Sequence, residues 1–166
     1  MEKLKRALRH LFTTSRAGKK AFPEATLQAI QEVITEGEKL HRAEVQLIVE
    51  PSLPLSEIWE GTSSRERAID LFSLHRIWDT EENSGILIYI DLADHQVEIV
   101  ADRGIDHITT SDEWASVCRT MTSGFAQGSY QDSVIAALKL LNDILHDHLP
   151  DTENLPNQLP NRPIIL

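Results

Sequence analysis

The chain has a single cysteine, Cys118, in 166 residues. No internal disulfide can form, and the fold must rest on a hydrophobic core. No apolar run approaches the roughly 20 residues that cross a bilayer. Charges interrupt the N-terminus where a secretory signal would carry its apolar core. Aromatic residues make up only 5% of the chain, and Trp59, Trp78 and Trp114 are too scattered to form a base-stacking platform. The usual chemical signatures are missing as well. There is no HExxH, no CxxxxxR loop, no nucleophile elbow, no DxD at a strand end and no glycine-rich phosphate cradle. The expected setting is cytoplasmic.

What is present is an ordinary globular composition, 41% hydrophobic and 25% charged, long enough for one domain that buries about 70% of its unfolded surface. The charge is unevenly placed. Residues 1–20 hold seven basic residues (Lys3, Lys5, Arg6, Arg9, Arg16, Lys19, Lys20) against Glu2, a net of +6. The rest of the chain holds 9 basic and 25 acidic residues, a net of −16. A body so acidic repels nucleic-acid phosphate, so no nucleic-acid partner is expected.

Apolar spacing predicts an amphipathic helix over 2–14, with Leu4, Leu8, Leu11 and Phe12 on one face and a linker at 15–20. The direct expectation is that this apolar face docks on the domain. The alternative is that the basic helix binds an anionic membrane surface or a membrane-anchored partner, placing the protein peripherally at the inner membrane. A second helix follows Pro23, with Leu27, Ile30, Val33 and Ile34 on one face. Val45–Val49 reads as a strand, and Pro51 and Pro54 break regular structure after it. Ser63/Glu66 and Thr110/Glu113 are capping boxes that open helices. Val134 to Leu145 marks a long helix ending at Pro150. The expected organisation is a basic N-terminal segment at 1–20, an α/β/α domain at 21–150 and a proline-rich extended tail at 151–166.

Residues 76–106 hold the most specific pattern. Ile86–Leu92 is β-branched and apolar, and Val97, Ile99 and Ala101 form the returning strand around a turn at 93–96. With the 45–49 strand and its crossover helix, this predicts a three-layer α/β/α sandwich with a small mixed sheet, a parallel crossover plus an antiparallel hairpin. Asp79, Glu81 and Asn83 precede the first hairpin strand, and Asp102, Arg103 and Asp106 follow the second. A hairpin brings these groups to one sheet edge. Asp79, Asn83, Asp102 and Asp106 are the candidate ligands for calcium or another divalent cation, which takes oxygen donors. Arg103 either clamps an anion or pairs with a carboxylate such as Asp79. Asp102 is also suited to accept backbone N–H bonds in the next loop. Trp78, beside this rim, and Cys118, on an apolar helical face, are expected in the core.

The segment NSGILIYIDLADHQVEIVADRG and the tail LPNQLPNRPIIL resemble the TPM domain family, in its short soluble bacterial branch. The resemblance covers Phe22 to Leu166 and is most specific in the hairpin. It implies an α/β/α sandwich. Some members of the family are similar to acid phosphatases of chloroplast thylakoids, some bind calcium at the sheet edge, and many are secreted or membrane-anchored. The secreted branch has an acidic-Asn-Gly pattern where this chain has Asn83-Ser84-Gly85. Its Gly-aromatic-Gly-Leu-Glu pattern stands here as Asp102-Arg103-Gly104-Ile105-Asp106, with Asp106 in the place of the Glu. The resulting expectation is a non-enzymatic interaction or regulatory module that binds a divalent cation at the hairpin edge near a membrane partner. The alternative is a metal-assisted acid phosphatase.

Overall fold

The computed structural model describes residues 2–166. Helices α1 (Glu2–Phe12), α2 (Ser15–Ala21) and α3 (Glu24–Gly37) precede strand β1 (Glu44–Glu50). Helices α4 (Leu55–Glu60) and α5 (Ser64–Leu74) lead to the hairpin β2 (Gly85–Asp91) and β3 (Gln96–Ala101). A single turn α6 (Arg103–Asp106), α7 (Ser111–Phe125), α8 (Tyr130–His148) and a short β4 (Ile164–Ile165) complete the chain.

The sheet order is β3-β2-β1-β4, with β1 parallel to both β2 and β4 and β2 antiparallel to β3. The expected mixed sheet and the sandwich are both present. Every residue of β1 and β2 is buried, as fits strands with helices on both faces. Odd positions of β1 and even positions of β2 (Val45, Leu47, Val49; Ile86, Ile88, Ile90) pack with Ile30, Ile34, Val117, Met121, Leu138 and Leu141 of α3, α7 and α8. The other face places Ile48, Leu87 and Tyr89 against Ala68 and Leu71 of α5. Each such aliphatic burial is worth about 1.5–3 kcal/mol, so the larger layer supplies most of the stability.

Both capping boxes form. The Ser63 and Thr110 hydroxyls accept from the N–H groups of Glu66 and Glu113, whose carboxylates reach back. Four details depart from the expected pattern. Residues 15–21 are helical, because Gly18 lets α2 lie against Pro51, where a Cβ would stand 2.6 Å from the proline ring. A helix, α4, forms directly after Pro54, which serves as its N-cap. The extended tail adds a strand, β4, tied in by the Leu159 N–H donating to Glu44 Oε2 at 2.9 Å. Trp78 is not a core residue: it is 47% exposed, with the Arg76 guanidinium 5.7 Å above its ring. Arg76 holds a left-handed conformation (φ 54°), so the chain turns there and swings the indole outward.

Candidate functional site

β1 and β2 run parallel and end together, with Glu50 opposite Asp91. Both acids are buried, at the end of the sheet where open α/β folds place their ligands. Each is satisfied from a neighbouring element. Glu50 accepts a bidentate pair from Arg67 of α5 at 2.9 and 2.8 Å and a bond from the Tyr89 hydroxyl at 2.8 Å. Burial, with the charges of Asp91 and Glu50 beside it, pushes the Tyr89 phenol far above its ordinary value. Asp91 accepts from the Ser64 hydroxyl at 2.9 Å and from the Asp94 N–H at 3.1 Å. Burial raises the Asp91 carboxyl above the ordinary carboxylate range, against the lowering effect of the Asp94 N–H bond.

Helix α1 closes this end. Arg6 Nε lies 2.5 Å from Asp94 Oδ2, and Arg9 Nη2 lies 2.7 Å from Asp94 Oδ1. Arg6 also donates to the Thr62 carbonyl at 2.7 Å. His10 is buried, and its Nε2 lies 3.2 Å from Asp94 Oδ2. Burial opposes ionisation of Asp94, but the hydrogen bonds of Arg6 and His10 and the charge of Arg6 outweigh it and hold its carboxyl below the ordinary range. Ala7 packs with Leu53 and Ile58 beneath. The face of α1 turned inward is therefore its Arg6–Ala7–His10 stripe.

The expected docking face is the one turned away. Leu4, Leu8, Leu11 and Phe12 are 45% to 78% exposed. The reason is electrostatic and local. Asp94 sits in the hairpin turn, where Arg6, Arg9 and His10 surround its carboxylate and leave the side chain 9% exposed, and a carboxylate covered in this way needs cationic partners. Only the basic stripe of α1 supplies them.

One ligand atom from each of His10, Asp91 and Asp94 lies within 4.8 Å of the others, close enough to hold a metal ion. The donor set nevertheless fits an ion poorly as it stands. The Leu53 N–H donates to His10 Nδ1 at 2.9 Å, so the ring of neutral His10 carries its proton on Nε2, the atom turned toward Asp94. A metal ligand needs a lone pair there. Both oxygens of Asp94 already face guanidinium groups, which repel a divalent cation. An ion would enter only with displacement of α1.

The candidates at the open end of the hairpin are brought to one edge through the backbone. The Gly104 N–H donates to the Asn83 carbonyl at 2.9 Å, and a Cβ on Gly104 would stand 2.5 Å from the Glu82 carbonyl oxygen. Asn83 holds φ 52°. The side chains are used separately. Asp79 pairs with Arg76 at 2.6 Å rather than with Arg103. Asp102 caps α6 by accepting from the Arg103 N–H at 2.7 Å, the loop-capping role expected of it. The Glu81 N–H donates to Gln158, and Arg103 and Asp106 are exposed. Among the described residues, the group of three His, Cys, Asp or Glu side chains close enough for one ion is at the other end of the strands, at His10, Asp91 and Asp94. Sequence reasoning missed it. Its signals were an acid closing an apolar strand (Asp91), another three residues on in the turn (Asp94), and a histidine among the basic residues of α1. The hairpin turn sets Asp94 beside Asp91, and only the docking of α1 adds His10.

No helix among the described residues is long and apolar enough to cross a membrane. Comparison with curated proteins gives no match. Among solved structures, the chain is similar to the NMR structure of the BA42 protein from the psychrophilic bacterium Bizionia argentinensis. The TM-score is 0.75 at 22% identity, covering 85% of this chain and 92% of that one. A likeness at that identity establishes the fold alone. The family model of the TPM domain matches residues 17–144, from α2 into α8. With the sandwich, the hairpin and this match in agreement, the chain belongs to the TPM domain family.

Proposed function

We propose that the chain is a non-enzymatic TPM interaction module whose contact face is the outward side of α1 and α4. The observation that supports it is the orientation of α1. The helix spends its charged stripe on Asp94 and leaves Leu4, Leu8, Leu11 and Phe12 in solvent. Helix α4 packs beside it and adds exposed Leu55 and Trp59. Contiguous exposed apolar surface of this kind marks interaction sites in soluble proteins. Replacing Leu8, Phe12 and Trp59 together by serine is the test. If these side chains serve a partner, the isolated fold does not need them, and each change stays within about 0.5 kcal/mol. A fall in Tm of more than about 10 °C for the triple variant would assign them to the fold and end the proposal.

The grouping of His10, Asp91 and Asp94 favours a second reading, metal-assisted hydrolysis of a phosphomonoester. It requires α1 to yield the Asp94 carboxylate to an ion. Turnover of a generic phosphomonoester with magnesium, manganese or calcium, abolished by Asp91→Asn, would place this reading first. The open hairpin edge remains a proposed weak cation site through Asp79, Asn83, Asp102 and Asp106. Calorimetry with calcium, repeated on an Asp102→Ala, Asp106→Ala double variant, tests it. Heats identical in the two proteins would exclude it.

A further inference from the structure

We propose that the occupant of the α1–α4 face is an anionic lipid surface; this rests on the contact-face reading above and names its partner. Along α1 the exposed apolar arc of Leu4, Leu8, Leu11 and Phe12 is bordered by exposed Arg9 and by exposed Lys5, whose Nζ lies 3.8 Å from Glu2 Oε1. Helix α2 continues the basic character with Arg16, Lys19 and Lys20, all exposed. Arg6 and Arg9 are engaged by Asp94, and Lys3 Nζ donates to the Trp59 carbonyl at 3.2 Å. The face also carries acids, Glu2 of α1 and Glu60 of α4, both exposed, against which the cations are in excess over residues 1–20.

An apolar face edged by cations, with a tryptophan alongside, is the composition of a helix lying in the plane of a membrane interface. A surface helix of this type sinks Leu and Phe into the headgroup boundary while Lys and Arg reach anionic headgroups. A second copy of the chain is a poorer occupant. A two-fold contact through α1 would bring the exposed Lys5 and Arg9 of one copy near the same cations of the other. An acidic protein partner would satisfy the cations, but it would leave four large apolar side chains of α1, up to Phe12 at 78% exposure, without apolar cover. Inversion of the helix is what makes the arrangement possible: with its leucines against the domain, the same sequence would have offered only charge.

The experiment is co-sedimentation of the full chain with vesicles of phosphatidylcholine alone and of phosphatidylcholine mixed with phosphatidylglycerol, at low and physiological salt. The full chain is expected to partition onto the mixed vesicles only, more weakly as salt rises. Lys19→Gln with Lys20→Gln is expected to lower that partition about thirtyfold. Leu8→Ser with Phe12→Ser is expected to abolish it at an unchanged Tm. If the full chain stays unbound to the mixed vesicles at low salt while the Leu8/Phe12 variant keeps its Tm, the lipid proposal is overturned and the contact face stands for a protein partner. If that variant loses Tm, the contact-face reading itself has failed. A dimer in sedimentation velocity that Leu8→Ser dissociates would overturn the lipid in favour of a second copy.

Discussion

Replacing Asp94 by alanine removes the one carboxylate that Arg6, Arg9 and His10 all face. The cost can be worked from the exposure of each partner. Arg9 has a side chain 57% exposed and recovers water when unpaired, so its share is about 0–1 kcal/mol. Arg6 is 19% exposed and loses its charge-assisted acceptor where water is scarce, though the Thr62 carbonyl remains, which costs about 2 kcal/mol. The total of about 2–3 kcal/mol corresponds to a Tm lower by about 5–10 °C in a chain of this size. The sign of the pH effect follows from the depressed Asp94 carboxyl. A lowered folded-state value contributes stability that is present above the ordinary carboxylate value of 3.8 and lost as pH falls through the folded-state value. The penalty of Asp94→Ala is therefore full at pH 7 and shrinks at pH 3. Urea unfolding of both proteins at the two pH values measures it, and amide exchange locates it, with protection lost in α1 and kept in β2. Equal stability at pH 7, with α1 protection unchanged, would show that the contact of Ala7 with Leu53 and Ile58 holds the helix and that the ion pairs do not.

Glu38 is pushed up to about 8, first by burial and further by the charge of Glu44, against the Val45 N–H bond that favours ionisation. A raised folded-state value contributes stability that is full below about 4.5 and declines as pH rises through about 8; Glu38→Gln keeps the acceptor and should remove this decline, as urea unfolding at pH 5 and pH 8.5 would reveal. Burial likewise pushes the Cys118 thiol up to about 11, so a disulfide reagent at pH 8 should modify it far more slowly than in urea-unfolded chain. Gly85 opens β2 so close to Ile77 that a Cβ would stand 1.9 Å from its carbonyl oxygen. Gly85→Ala must move backbone, and a loss of at least about 3 kcal/mol, or insoluble expression, is expected; a stable, folded variant would show that the 77–85 loop is free to shift.

The hairpin, the parallel crossover and the long helices were legible in the chain because they depend on local period and on caps. Ile86 to Ile90 alternate faces of one sheet, Ile30 and Ile34 lie a turn apart on α3, and Ser63/Glu66 and Thr110/Glu113 close their own helix ends. The meeting of the two ends of the hairpin edge, through Asn83 and Gly104, was legible for the same reason. What the sequence could not decide was which face of α1 turns inward. Its pattern separates apolar from basic residues but carries no information about the far side of the contact. That side is Asp94, 85 residues from Arg9 along the chain, whose carboxylate pairs with the basic stripe where only the small Ala7–Leu53–Ile58 cluster offers apolar contact. The same holds for β4, which depends on the free edge of β1, and for the grouping of His10 with Asp91 and Asp94. Periodicity sets what each segment can bury. Only the assembled fold, through long-range charge pairing and desolvation, sets what each segment does bury.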